Sequence, residues 1–325
     1  MAKKIAVVTG YAGFLGSTFT KKLLEEGWYV YCIDSFTHVS NIPQSDLLFN
    51  LYKDRMHIIN VDICDLGWLP ECDVIFNLAA ESDVDIGNHN AFHFVRSNVD
   101  GVRNLLAIIQ QRIQIRSDKP LFFQVSTDEV YGDTIEGSFS EDAKINPSNP
   151  YAATKAAADL LIQSWARTHG LEYIIARPSN NYGLYQYPEK LIPISCKRLA
   201  RGKKIKIHNE GTPVRTWTHT EDTAEALLTL YEKAERNKIY NISSEFEQTN
   251  LETVTKVVNA YFLEKITRQV PDLENYLDLS YTRPGQDVRY AISCDPLKNL
   301  GWKAKKVFDE EIVKVVNHYK KNWVW

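Results

Sequence analysis

Short runs of β-branched and other apolar residues recur through the first half of the chain, each followed by a stretch whose apolar positions return every three or four residues. The runs are Lys4 to Val8, Tyr29 to Ile33, His57 to Val61, Val74 to Leu78, Leu121 to Ser126 and Tyr173 to Ala176. Between them Phe14 to Glu26, Phe92 to Gln111 and Tyr151 to His169 carry the helical period, and Gly27 and Gly170 stand where a left-handed C-cap would close the first and last of these. This alternation predicts right-handed βαβ crossovers that build a parallel sheet with helices on both faces.

Beyond Arg177 and Pro178 the pattern changes. Pro188 to Arg201 reads as a helix and Lys204 to His208 as a short strand; then come a helix over Glu221 to Ala234, a strand over Lys238 to Ile242, and helices near Asn250 to Leu263 and Phe308 to Tyr319. The expected fold is α/β: a doubly wound parallel (Rossmann-type) sheet with a smaller, mostly C-terminal α/β substrate lobe. Residues 1–178 form the sheet domain, with 216–242 returning to it, and 179–215 and 243–325 form the lobe. No internal repeat or Gly-, Ser- or Pro-rich linker interrupts the chain.

The 325 residues, 44% hydrophobic and 24% charged, suffice for a real core. A net charge of -3 provides no basic field for nucleic acid or an anionic membrane, so phosphate recognition has to be local. Five scattered cysteines, Cys32, Cys64, Cys72, Cys196 and Cys294, show no CxxC spacing and suit a reducing compartment, so the expected location is cytoplasmic. The first residues run straight into the Ile5 to Val8 strand, without an apolar stretch for a signal peptide or membrane span. No metal is expected.

Gly10, Gly13 and Gly16 follow the first strand as G-x-x-G-x-x-G, with Phe14 and Leu15 opening a helix. Glycines here allow a tight turn and a close approach of backbone to a pyrophosphate, which the helix N-terminus favours. A bare glycine triplet is weak, but the strand before it and the helix after it point to a dinucleotide site. Asp34, closing the second strand 18 residues beyond Gly16, suits the adenosine ribose hydroxyls and repels a 2'-phosphate, which favours NAD over NADP. The alternative is that Asp34 only caps a loop. Asp62 and Ile63 are placed near the adenine, and Leu78, Ala79 and Ala80 are small enough to line the cofactor.

Two features fall at the carboxyl ends of the later strands, where open α/β sheets place their ligands. Ser148-Asn149-Pro150 caps a helix that begins Tyr151-Ala152-Ala153-Thr154-Lys155. Spacing of four puts Tyr151 and Lys155 on one face, where an ammonium beside a phenol favours the phenolate and lets Tyr151 act as a base. Ser126-Thr127-Asp128-Glu129-Val130-Tyr131-Gly132 places a hydroxyl and two adjacent carboxyls at a strand end, one acid and one base if their pKa values are driven apart. Each motif alone is also compatible with a plain surface: a Tyr-Lys pair, or a solvated turn.

Taken together these segments resemble the extended short-chain dehydrogenase/reductases, and within them the nucleotide-diphosphate-glucose 4,6-dehydratases. The resemblance covers nearly the whole chain. It also rests on Ala79-Ala80-Glu81-Ser82, Ser179-Asn180-Asn181-Tyr182-Gly183, Tyr187 to Pro193 and Arg283-Pro284-Gly285, with Thr127-Asp128-Glu129 the discriminating triplet. It implies that Tyr151 takes the sugar 4-hydroxyl proton as the C4 hydride passes to NAD, with Thr127 on that oxygen and Lys155 on the ribose. Glu129 then removes C5-H from the 4-keto sugar, Asp128 protonates the departing 6-hydroxyl, and the hydride returns to C6. NAD is not consumed, and Asp128 needs a raised pKa. The resemblance further implies Glu81, Ser82, Asn180, Glu189 and Lys190 near the sugar and phosphates, Arg215 and Asn250 at the pyrophosphate, and His208 at the nucleobase. A histidine there tilts the expectation from dTDP-glucose towards UDP-glucose. Helices Phe92 to Gln111 and Tyr151 to His169 resemble the pair that forms a homodimer contact.

Asp83, Ile86 and Thr216 depart from the family's usual histidine, arginine and aspartate, but none is needed by the chemistry. The nearest rival is a nucleotide-sugar 4-epimerase or ketoreductase with the same loop and Tyr-Lys pair, which Asp128 and Glu129 argue against. A non-catalytic NAD-sensing scaffold would have no need for all five of Thr127, Asp128, Glu129, Tyr151 and Lys155.

Overall fold

Along the chain come β1 (Ile5–Thr9), α1 (Phe14–Glu25), β2 (Tyr29–Asp34), α2 (Ile42–Tyr52), β3 (Met56–Asn60), β4 (Val74–Asn77), α3 (Phe92–Phe94), a π-helical stretch at Val95–Asp100, α4 (Gly101–Arg116) and β5 (Leu121–Val125). A 3-10 turn at Asp128–Tyr131 leads to α5 (Pro150–His169), β6 (Tyr173–Pro178), β7 (Asn180–Tyr182), α6 (Leu191–Ala200), β8 (Ile205–His208), β9 (Val214–His219), α7 (Thr220–Lys233) and β10 (Lys238–Ile242). Last are β11 (Glu247–Thr249), α8 (Asn250–Leu263), β12 (Leu277–Tyr281), α9 (Asp295–Asn299) and α10 (Phe308–Lys321). This is a computed structural model, and it describes residues 3–82, 90–116, 119–266, 270, 272–282 and 287–322.

The large sheet has the order β10-β6-β5-β4-β1-β2-β3, and every neighbouring pair is parallel. The order reverses between β1 and β4, which opens a crevice at the carboxyl ends of the strands. Alternation along the strands feeds two cores. Ala6, Val8, Phe76 and Phe123 face one way, onto Phe19, Leu23 and Leu227 of α1 and α7. Val7, Ile75 and Phe122 face the other way, onto Leu105, Ile109 and Ile162 of α4 and α5. The doubly wound α/β expectation therefore holds in strand order, direction and layering.

Local chemistry sets the helix ends that matter for the site. Asn149 Oδ1 accepts from Ala152 N at 2.9 Å with Pro150 in the first turn, and Gly170 closes α5 at φ +69°. The expected helix over Phe92 to Gln111 is present but contains the π-helical stretch, a feature that periodicity does not reveal.

Past β6 two small sheets form, β11-β9-β7 and the parallel pair β12-β8. A separate core of Tyr182, Ile192, Cys196, Trp217, Val257, Phe308, Ile312 and Val316 joins the first to α6, α8 and α10, and Ile205, Ile207 and Leu277 of the second pack with Leu199, Val254 and Val258. The sequence pattern did not anticipate β7, β9, β11, β12 or α2. The first three are rich in Asn, Thr, Gln and Arg, so burial there is not written in apolar residues. Among the described residues no helix is long and apolar enough to cross a membrane.

Phe76 is fully buried and meets the rings of Phe19, Trp28, Phe123 and Tyr231. We expect Phe76→Ala to lower the unfolding free energy by about 3–5 kcal/mol, as cavity formation in a close-packed core does. Urea titration measures this directly, and a loss below about 1 kcal/mol would contradict the packing described.

Candidate active site

One cavity of about 490 Å³ runs across the carboxyl ends of the large sheet. Of the residues singled out from the sequence, Gly10, Gly13, Phe14, Leu15, Gly16, Asp34, Asp62, Ile63, Leu78, Ala79 and Ala80 line one part of it, and Glu81, Ser82, Thr127, Asp128, Glu129, Tyr151, Lys155, Asn180, Glu189 and Lys190 the other. His208, Arg215 and Asn250 stand outside that lining. Asp83 and Ile86, and the Arg283 to Gly285 segment, lie outside the described residues.

At the first end the glycine loop is a cradle that side chains would fill. Gly10 has φ +68°, and a Cβ on it would stand 2.6 Å from Ala79 N. A Cβ on Gly16 would collide with the Gly10 carbonyl. Asp34 Oδ2 accepts from Ala12 N at 3.0 Å, and Oδ1 accepts from Phe36 N at 2.8 Å and Ser40 Oγ at 3.2 Å. The carboxyl thus ties the glycine loop to the loop before α2 while still lining the cavity. Burial raises its pKa, against those three hydrogen bonds. Asp62 accepts from Cys64 N at 2.8 Å and lies 3.5 Å from Arg96 Nη2. Backbone that can approach closely, helix-terminal N–H groups and a strand-end carboxylate fit a dinucleotide.

At the other end three elements converge. Thr127 caps the 3-10 turn, its Oγ1 accepting from Glu129 N at 3.3 Å and lying 3.3 Å from Asp128 Oδ1. Asn149 caps α5 with its oxygen and donates Nδ2 to Glu129 Oε2 at 3.1 Å, so one side chain fixes both the helix bearing Tyr151 and the Glu129 carboxyl. Asn98 in the π-helical stretch accepts from Glu81 N at 2.9 Å and donates to Glu81 O and Thr154 Oγ1, each at 3.0 Å. Lys190 Nζ donates to Ser82 O at 2.6 Å. Behind the turn Tyr290 donates to Asp287 and, at 3.4 Å, to Glu129 Oε2, while the Arg215 guanidinium lies 4.5 Å from the Tyr290 ring and donates to the backbone oxygens of Val214 and Asp287. Arg215 reaches the site as a charge behind the cavity wall. Asn98, Asp287 and Tyr290 were not foreseen: Asn98 depends on the π-helical register, and the other two on long-range folding.

The electrostatics divide the groups. Burial first and the Glu129 charge second raise the Asp128 pKa to about 8, as the chemistry requires of an acid. Burial raises Glu129 as well, opposed by the Asn149 hydrogen bond and the charges of Arg215 and Lys190. The expected phenolate at Tyr151 is not what the geometry favours. Lys155 Nζ donates to Val125 O at 2.7 Å, and burial lowers the Lys155 pKa to about 8 against the attraction of Asp159. Tyr151 is pushed far above its ordinary range, by burial first and Glu129 second, with only its hydrogen bond to Thr127 opposing among the leading influences. The ammonium lies one helical turn away, turned to a backbone carbonyl, and so does not release the phenol's proton on its own.

With this geometry in view, the comparisons are specific. A family model described as GDP-mannose 4,6 dehydratase matches residues 7–315. The low-salt glycan biosynthesis protein Agl12 of Haloferax volcanii is 37% identical over 318 residues, spanning 96% of this chain and 97% of that protein. The dTDP-glucose 4,6-dehydratase of Haemophilus influenzae is 35% identical over 331 residues, with 96% and 97% covered. A crystal structure of the dTDP-glucose 4,6-dehydratase DesIV from Streptomyces venezuelae, with NAD and TYD bound, superposes with a TM-score of 0.89 at 32% identity, covering 98% of this chain and 97% of that one.

A carboxyl whose pKa is about 8 when folded and about 3.9 when unfolded favours the folded state most at low pH, and that contribution is lost as pH rises through 8. Asp128→Asn, which cannot ionise, should therefore gain stability relative to the parent between about pH 4 and pH 8, on the order of a few kcal/mol. Parallel stability-pH curves for the two proteins would rule out the raised pKa.

Proposed function

This chain belongs to the GDP-mannose 4,6-dehydratase family, and we propose that it dehydrates a nucleotide-diphosphate-glucose, dTDP- or UDP-glucose, to the 4-keto-6-deoxy sugar with NAD as its retained cofactor. The observation that carries this reading is the Thr127-Asp128-Glu129 turn facing Tyr151 in one cavity, with Asp128 holding a proton beside a second carboxyl. A 4-epimerase or ketoreductase needs the tyrosine but not the acid pair. A scaffold that only senses NAD needs neither.

The cradle formed by Gly10, Gly13 and Gly16, with Phe14 and Leu15 at the helix start, would hold the pyrophosphate. Asp34 would hold the adenosine ribose, Asp62 and Ile63 the adenine, and Leu78, Ala79 and Ala80 the space beside the nicotinamide. NAD, when bound, supplies the hydride acceptor and donor, and in its oxidised form a positive ring that offsets the Glu129 charge felt by Tyr151.

With that charge present Tyr151 would act as the phenolate, which receives the 4-hydroxyl proton, with Thr127 hydrogen-bonded to the same oxygen and Lys155 stabilising the phenolate and the ribose. Oxidation at C4 acidifies C5-H, because the carbanion is delocalised into the ketone. Glu129, kept basic by Asn149, Arg215 and Lys190, takes that proton. Asp128 gives its proton to the departing 6-hydroxyl, which leaves as water. Glu81, Ser82, Asn180, Glu189 and Lys190 hold the sugar end, and Arg215, Asn250 and His208 the nucleotide. The relatives' names favour the thymidine nucleotide and His208 the uridine one. In this reading residues 1–178 and 216–242 carry the cofactor, and 179–215 and 243–325 carry the nucleotide sugar.

Two finer readings accompany the reaction. Phe92, Val95 and Leu160 leave large apolar areas exposed on the Phe92–Phe94, Val95–Asp100 and α5 helical faces, which supports a homodimer through those helices. The five free cysteines suit a cytoplasmic setting.

Incubated without added reductant, the purified protein should convert dTDP-glucose or UDP-glucose to a product lighter by one water, with no net NADH, as mass spectrometry and absorbance will show. An unchanged mass with an isomerised sugar would replace the dehydratase by the epimerase. Light scattering should give twice the 37.3 kDa chain mass, and Leu160→Arg should halve it; a monomeric parent would remove the homodimer.

A further inference from the structure

Beneath the floor of the cavity lies a charged group that the proposed chemistry does not use. Asp159, one helical turn beyond Lys155 on α5, is fully buried, and so is Arg177 on β6. Asp159 Oδ2 accepts from Ser126 Oγ and Arg177 Nε, each at 3.0 Å, and lies 3.0 Å from Arg177 Nη2 as an ion pair. The other oxygen, Oδ1, is buried without a hydrogen bond of its own. Arg177 in turn lies 4.7 Å from the Tyr131 ring, and Tyr131 donates to Asn241 Oδ1 at 2.9 Å. The pair therefore links α5, the ends of β5 and β6, and the turn that carries Asp128 and Glu129.

A buried ion pair is a poor way to gain stability, since apolar residues of equal volume often serve as well or better. Its presence here calls for another reason, and the sum of charges supplies one. The cluster holds two cations, Lys155 and Arg177, and one anion, Asp159, one helical turn from the lysine and paired with the arginine. Arg177 binds Asp159 directly, which leaves the excess positive charge at Lys155, the end that opens into the cavity.

We infer that Asp159 is a positioning residue for Lys155: held rigid by Ser126 and Arg177, its carboxylate keeps the Lys155 ammonium charged in a buried place where it would otherwise shed its proton. This rests on the reading of Lys155 as the residue that supports Tyr151. Burial opposes the ammonium and Asp159 is the leading charge in its favour. Lys155 and Arg177 in turn oppose the burial that would protonate Asp159. The other titratable or charged groups close to this cluster are Tyr151 on α5, Asp128, Glu129 and Tyr131 on the turn, and Tyr173 on β6.

The test reads Lys155 itself. With the lysine side chains carbon-13 labelled at Cε, NMR titration of the full chain follows the Lys155 resonance, assigned by its loss in Lys155→Met. Asp159→Asn keeps the shape but removes the charge, and should lower the Lys155 midpoint by about one unit or more, a tenfold change in its protonation equilibrium. Ser126→Ala removes a single hydrogen bond from Asp159 and should move the midpoint the same way by less, so the question stays open to measurement if Asp159→Asn does not fold. Asp159→Glu, which restores the charge, should bring the midpoint back towards that of the parent. In NAD-loaded protein mixed with dTDP-glucose, the alkaline limb of the first NADH-forming step should follow the same shifts. A midpoint that stays put in both Asp159→Asn and Ser126→Ala overturns the inference, whatever turnover does. If the midpoints shift while the parent oxidises neither dTDP-glucose nor UDP-glucose, the inference about Asp159 stands and the dehydratase reading falls.

Discussion

Two adjacent carboxyl groups sheltered from water cannot both ionise without mutual repulsion, and this constraint organises the site. Asp128 and Glu129 are neighbours in one turn of 3-10 helix, so the chain itself keeps each carboxyl within the field of the other. Burial alone would protonate both. Arg215 acts on both, but Asn149 and Lys190 act on Glu129, so the pair separates into a neutral acid and a group better able to be a base. The same Asn149 caps α5, which means that the helix bearing Tyr151 and Lys155 cannot shift relative to Glu129 without losing its own N-cap.

The rest of the fold supplies the platform for that turn. Parallel strands buried on both faces are rigid, and all their carboxyl ends open on one side. β5 delivers Thr127, Asp128 and Glu129 directly from its end, and the α5 N-terminus delivers Tyr151 and Lys155. The glycine loop at the end of β1 is brought against Ala79 so tightly that Gly10 has room for no Cβ. Asp34 then holds the loop's backbone through Ala12, so the carboxylate proposed to recognise the cofactor also orders the loop.

Much of this was legible in the sequence, because it is written in local terms. The period-2 and period-3.6 runs mark the sheet and its covering helices, and glycine spacing, a helix cap and a strand-end acid pair mark both ends of the cavity. What was not legible depends on distance. β9 buries Arg215, Thr216 and Thr218, whose polarity hides the strand, and the contact of Tyr290 with Glu129 spans 161 positions. Asn98 needs a π-helical register that places it between Glu81 and Thr154. The Tyr151–Lys155 pair shows the limit most clearly: spacing puts the two on one helix face, but only the fold shows that the lysine bonds the Val125 carbonyl while burial, and after it Glu129, holds the phenol's proton in place.

That last arrangement bears on the order of steps in the proposed reaction. While Glu129 is ionised its charge opposes the Tyr151 phenolate, so the first proton leaves the sugar only when cationic charge is present to compensate. Once Glu129 has taken the C5 proton, its charge no longer opposes the phenolate, and Tyr151 becomes a stronger acid, more able to return its proton to the C4 oxygen. What holds the C4 oxygen as a ketone against that return is the loss of the 6-hydroxyl, which leaves a C5–C6 alkene conjugated to it. The hydride would then be better accepted at C6, whose alkene carbon is activated by that ketone, than returned to C4, and the proton held by Glu129 would go back to C5. The acid pair therefore does more than expel water: by making that conjugated alkene it favours completion of the dehydration over simple reversal, a distinction that an epimerase lacking such a pair has no means to make.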